Sequence, residues 1–220
     1  MIHTMQRLLI SLALVLVCCH GYALGPPIEA CVEMFPLDHG ADARKDSSPF
    51  TMTINATSYS PGDVIKVVLN TSEIYGHYFL EGLFVQMRPV TCLNTSVGTF
   101  SIETGDDFLK TMDCFAKPAS AIAHYSHEHI HDRTFYWTAP STANGHLYLR
   151  ATVARNLKNF WTNVFSDFIL DASIPNASPT TLKTCAVRSK QTSGVSITTS
   201  SSVVIFAALV VLAFVTKLTN

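Results

Sequence analysis

Charge is scarce in this chain and nearly balanced: Asp, Glu, Lys and Arg make up 14% of 220 residues and leave a formal net charge of −1. So neutral a surface gives no electrostatic footing for nucleic acid, or for strong binding to an anionic polymer such as heparin. No CxxC pair occurs, which removes the usual signature of a structural zinc site and of a thioredoxin-type redox site. No nucleophile elbow or other positioned Ser, His and Asp arrangement is present. Internal repeats are missing, and so is any long stretch of helical period, which excludes solenoids and bundles.

Long apolar runs are confined to the two ends. Arg7 precedes a run from Leu8 to Val17 broken only by Ser11, with small residues following at Gly21 and Ala23. Such a run is short for a bilayer and suits a secretory signal peptide, residues 1–23; an uncleaved anchor helix is the competing reading. At the other end Val203 to Val215 is wholly apolar, an uncharged Ser/Thr stretch precedes it, and Lys217 is the sole charge after it. Small residues at Ser193 and Gly194, a polar spacer and a short hydrophobic tail (residues 203–220) match a GPI-attachment signal. The alternative is a transmembrane helix starting near Ile197, which would carry several Ser and Thr into the membrane. Either tail tethers an outward-facing fold to a membrane. In that compartment the sequons at Asn55, Asn70, Asn94 and Asn176 are expected glycosylation sites.

Between the ends about 150 residues remain before a Ser/Thr-rich segment, enough for one domain with a real core. We place that domain at residues 24–172 and a stalk at 173–202, where Ser, Thr and Pro dominate and large apolar residues nearly vanish. Cys18 and Cys19 leave with the signal peptide. Cys31, Cys92, Cys114 and Cys185 remain, an even set that implies two disulfides in an oxidising compartment without choosing among the three pairings.

The domain reads as short β-branched and aromatic segments punctuated by turns. Residues 50–54, 64–69, 79–87, 98–102, 134–138, 146–155 and 160–170 are strand candidates, several with strict alternation. Ser60-Pro61-Gly62-Asp63 suits a type II turn, Asn144-Gly145 a second turn, and Gly82 a bulge or a close contact. Regular short strands of this kind predict an all-β, antiparallel β-sandwich. Trp137 is expected in its core.

A set of residues spread over the domain carries a resemblance. They are Gly25-Pro26, Ala30-Cys31, Met34, Pro36, His39, Tyr59-Ser60-Pro61-Gly62, Gly82 to Arg88, Gly98-Thr99-Phe100, Cys114, His124, Trp137-Thr138-Ala139-Pro140, Gly145, Ala151-Thr152-Val153 and Phe160-Trp161. In order and spacing the chain resembles the reeler domain, found at the N-terminus of reelin and F-spondin, in ferric-chelate-reductase-like proteins and in insect defence proteins. The resemblance implies an immunoglobulin-like β-sandwich with disulfides, Cys31 pairing with Cys114, and Cys92 left for Cys185 or for intermolecular bonds. The reductase-like members also carry haem-binding and membrane parts with axial histidines. This chain's terminal apolar segment holds no histidine, so no transmembrane electron transfer and no cofactor are expected of it alone.

The most suggestive chemistry is the run from His124 to Asp132. On a strand, His127, His129 and His131 would share a face and offer imidazoles to zinc or copper, with His124 better suited to a structural hydrogen bond. Glu103, Asp106 and Asp107 form an acidic loop that either holds a cation or is simply solvated. Residues 73–78 form a candidate binding loop. The function expected is non-catalytic: recognition or adhesion outside the cell, innate defence included, with an unidentified cell-surface, matrix or microbial ligand and no nucleic-acid partner. The alternative is a metal-binding or redox accessory protein.

Overall fold

Alternation along each strand candidate needs an apolar interior on one side, and two facing sheets supply it. The structure is a computed structural model that describes residues 24–36, 39–71 and 78–174. The proposed signal peptide, C-terminal tail and Ser193-Gly194 lie outside the described residues, with Asn176, Cys185, most of the stalk and most of the 73–78 loop. All described residues fall within one unit, Met1–Ser189.

Among the described residues one short helix, α1 (Ala30–Glu33), precedes ten strands: β1 (Phe50–Ile54), β2 (Ser58–Tyr59), β3 (Val64–Thr71), β4 (Gly82–Pro89), β5 (Thr99–Ile102), β6 (Leu109–Cys114), β7 (Lys117–His124), β8 (Asp132–Thr138), β9 (Leu147–Asn156) and β10 (Asn159–Asp171). They form a four-stranded sheet, β1-β3-β8-β5, and a six-stranded sheet, β2-β10-β9-β4-β7-β6. All neighbours are antiparallel except β2 and β10, which pair in parallel over two residues. The all-β sandwich is therefore as expected, with one parallel pair at an edge.

The core lies between the sheets. Ile65, Val67 and Leu69 of β3 and Phe135 and Trp137 of β8 face Leu83, Val85 and Met87 of β4 and Leu149, Ala151 and Val153 of β9. Trp137 is fully buried and donates its indole N–H to Val97 O at 2.7 Å, so its polar edge is satisfied inside the core. Gly98 makes room for it: at φ 71° a Cβ there would lie 2.4 Å from Trp137 Nε1. The Ser60–Asp63 turn forms as predicted, with Asp63 N–H bonded to Ser60 O at 3.1 Å and Gly62 at φ 84°.

Three features depart from the expected elements. The strand predicted at 79–87 begins only at Gly82, and Gly82 is a close contact: a Cβ there would meet the Ala154 methyl at 3.1 Å. The β6–β7 hairpin was not predicted, because its two turn residues are Phe115 and Ala116, both at positive φ (57° and 54°), where Asn-Gly is the usual signal. The run 125–131 is a loop and not a strand, apart from one isolated bridge between Leu80 and Ile130. It leaves β7 in one sheet and enters β8 in the other, so a straight strand cannot carry it.

Candidate functional site

The outer face of β4 and β9 is where this sandwich differs from a plain one. Every residue of β4 is buried, including Gln86 and Arg88, whose alternation with Leu83, Val85 and Met87 would place them in solvent. Residues 24–36 lie over that face. Cys31 is joined to Cys114 at the end of β6, the pairing implied by the resemblance. Ala30, Cys31, Met34, Phe84, Cys114, Ala121 and Ala123 make a second apolar cluster beneath the strap. Cys92 is also disulfide-bonded; the Cys185 expected as its partner is outside the described residues.

Polar side chains fasten the strap. The last carbonyls of a helix have no partner within it. Here Gln86 Nε2 donates to Cys31 O at 3.1 Å, and Arg88 donates to Cys31 O at 2.7 Å and to Val32 O at 3.0 Å. Arg150 donates to Glu33 O at 2.8 Å, and the Thr152 hydroxyl to Met34 O. Strand pairing places Gln86 opposite Arg150 and Phe84 opposite Thr152, so one patch of sheet presents these donors to one turn of helix. Burial, with the second guanidinium of Arg150 nearby, pushes Arg88 down to about 10, and burial lowers Arg150 likewise. Both remain cations at neutral pH, and cations are favoured beside helix C-terminal carbonyls.

Between the strap and the sheet is a pocket of about 420 Å³. Its floor is Gly82, Leu83, Phe84, Thr152 and Ala154, all buried; its walls include Pro26, Pro27, Met34, Phe35 and Pro36 from the strap and Leu157 from the β9–β10 turn. Of the polar lining, Glu29 and His127 are exposed and His39, Glu81, His124 and Asn156 half-buried, with the His124 ring 3.5 Å from where a Cβ on Gly82 would sit.

The histidines of the 124–131 run have separate surroundings. Leu83 N–H donates to His124 Nδ1 at 3.1 Å, the structural role expected for that ring. His127 borders the pocket. His129 stacks on Phe79 with ring centres 3.7 Å apart and meets Glu81 Oε1 at 2.8 Å. His131 Nδ1 lies 2.9 Å from Tyr78 O. The shared face expected for His127, His129 and His131 is thus not formed, since a loop does not keep a two-residue period. Among the described residues no group of three or more His, Cys, Asp or Glu is placed to hold a metal ion.

The acidic loop is also partnered from within. Asp106 Oδ1 accepts the Phe108 and Leu109 N–H groups at 2.8 and 2.6 Å, and its other oxygen lies 3.6 Å from Arg133. Asp107 is 3.5 Å from the same guanidinium, and Glu103 accepts from Tyr136 Oη at 3.1 Å. Of the sequons, Asn55 and Asn94 are exposed and Asn70 is half-buried. Asn55 Oδ1 accepts Lys66 N–H at 3.0 Å, and this bond leaves the amide nitrogen, the atom a glycan would take, uninvolved.

Among the sequence signals for the strap and pocket, Gly82 stands out as a bulge or close contact, while Met34, Pro36 and Thr152 are legible only as members of the family set. Their meeting depends on a contact between residues some 50 to 120 positions apart, which periodicity does not report.

The family pattern described as Reeler domain matches residues 29–177. A protein of Bombyx mori named "Putative defense protein" is 34% identical over 145 residues, 64% of this chain and 81% of its own length. One of Hyphantria cunea, "Putative defense protein Hdd11", is 30% identical over 160 residues, covering 71% of this chain and 93% of that one. "Putative ferric-chelate reductase 1" of Danio rerio is 33% identical over 170 residues, 75% of this chain but only 28% of the reductase-named protein. Among solved structures, the human F-spondin reeler domain is similar with a TM-score of 0.47 at 15% identity, covering 60% of this chain and 94% of the domain.

Proposed function

The chain belongs to the Reeler domain family, and from that premise we propose that it is a non-catalytic recognition or adhesion protein acting outside the cell in innate defence. What supports this reading best is coverage: the similarity takes in 93% of an insect protein named for defence, but 28% of a protein named for ferric-chelate reduction. The region shared with the second is the reeler part, and the reductase name belongs to a much longer protein.

The site points the same way. A rigid sandwich carries a covering strap, fixed by one disulfide and by donors from Gln86, Arg88, Arg150 and Thr152, with an amphipathic pocket beneath it. That is a preorganised binding surface. A buried Cys31–Cys114 bridge suits an oxidising compartment, which favours export. Tethering by the C-terminal tail and glycans on Asn55, Asn70, Asn94 and Asn176 complete the proposal.

The test uses the full chain made in a secretory host. Pull-down on intact microbes and on cell or matrix surfaces should retain it on at least one of these, with no turnover of a ferric chelate. Empty pull-downs on all three, or catalytic iron reduction by the purified chain, overturn the reading. Release from cells by a phosphatidylinositol-specific phospholipase supports the GPI form of the tether, and retention supports a spanning helix.

A further inference from the structure

We propose that the pocket under the strap is a binding site for a single-chain amphiphile, an acyl chain with a small polar head. The inference names a ligand for the non-catalytic reading above and rests on that reading.

The volume comes first. At about 420 Å³ the cavity falls within the roughly 300–1,000 Å³ typical of small-molecule sites. It exists because residue 82 is glycine and residue 154 alanine on neighbouring strands, opposite one another in register. Any larger pair would fill the floor.

Chemistry then divides the pocket by depth. The buried side chains are mostly apolar, Phe84, Met34 and Ala154, with one hydroxyl, Thr152, whose proton is already given to Met34 O. No charged side chain is among the buried lining residues, so nothing there pairs with a ligand's charge. The strap wall contains Pro26, Pro27 and Pro36, which have no N–H to offer. An apolar inner part suits this surface, because the Thr152 hydroxyl proton and His124 Nδ1 are already engaged and a polar group at that depth would lose water for little return. Toward solvent the character reverses: the exposed Glu29 and His127, with Glu81 half-buried, supply acceptors and donors for a head group. An apolar inner region and a polar opening match an amphiphile end for end.

Pre-formation makes binding favourable. The strap is already fixed by the disulfide and by Gln86, Arg88, Arg150 and Thr152, so little order need be added when a ligand enters. Leu157, exposed at the opening, is positioned to shed water against the outer part of the chain.

The test is a titration of the full-length glycoprotein, delipidated, with cis-parinaric acid followed by fluorescence, then displacement by lauric acid and by dodecylphosphocholine. Saturable binding at about one equivalent is expected, with displacement by both. Ala154→Phe should fill the floor and weaken the probe by tenfold or more. Leu157→Glu alters only an exposed residue of the opening, leaves the melting temperature unchanged and should weaken it at least threefold. Failure of the wild type to bind saturably, or wild-type affinity in Leu157→Glu together with a folded Ala154→Phe, overturns the site. If the probe fails while microbial or cell-surface retention persists, the pocket is wrong and the recognition reading stands. If acyl binding holds while every pull-down is empty, the recognition reading falls and the pocket stands.

Discussion

Replacing Cys31 and Cys114 together by alanine isolates what the one described bridge contributes. The two residues are 83 positions apart in sequence. Closing a loop of that length removes unfolded-state entropy worth about 4.5 kcal/mol at 25 °C on the chain-entropy model. That figure is an upper bound here, because Cys92 lies within the loop and is itself disulfide-bonded, so a second cross-link already restricts the unfolded chain. In the native state the strap keeps its bonds to Gln86, Arg88, Arg150 and Thr152, so the sandwich should still form. We therefore expect a loss of about 2–4 kcal/mol. Urea unfolding, followed by the fluorescence of the buried Trp137 and Trp161, would report it. With an m-value of about 2 kcal/mol/M the midpoint should fall by about 1–2 M. A midpoint within about 0.3 M of wild type, in a variant shown by mass to retain its remaining disulfide, would refute the reasoning. It would mean that the polar anchors, and not the covalent link, carry the strap's share of stability.

Gly98→Ala puts a methyl 2.4 Å from both Thr138 O and Trp137 Nε1 at a φ of 71°, so thermal melting should show a loss above about 2 kcal/mol, and a loss below about 0.5 kcal/mol would contradict the packing account. Hydrogen bonds from Ser173, and from the Gly145 N–H, hold the Asp171 carboxyl below its ordinary 3.8. Its contribution is complete above that value and is lost as pH falls below it, so Asp171→Asn should flatten the acid side of a stability–pH profile, and an unchanged acid slope counts against the assignment. Asn55→Gln and Asn94→Gln should each remove one glycan from the intact mass at these exposed positions, while no mass change after endoglycosidase treatment would exclude glycosylation altogether.

How far the sequence reached follows from which signals are local. Residues 64–69 alternate in sequence and alternate in burial, because β3 has one face on the core and one in water. Pro61-Gly62 specified its turn because only glycine reaches φ 84° at no steric cost. The same rule misled at Phe115-Ala116, where a hairpin turn holds positive φ without glycine or asparagine. For His127, His129 and His131 the two-residue period was read correctly off the sequence, but it has meaning only on a strand. The chain there is crossing from one sheet to the other, anchored by Ile130 against Leu80.

By itself the sequence determined the family, from a set of residues ordered along the whole domain, and the all-β class, the Ser60–Asp63 turn and the inward face of β3, each written in residues close together along the chain. Only the tertiary structure decided that Gln86, Arg88, Arg150 and Thr152 are buried anchors and that a pocket opens over Gly82 and Ala154. The outer face of a sheet alternates in the same way whether water or another segment covers it. Which of the two applies is settled by where residues 24–36 come to rest, and no local pattern in β4 or β9 encodes that.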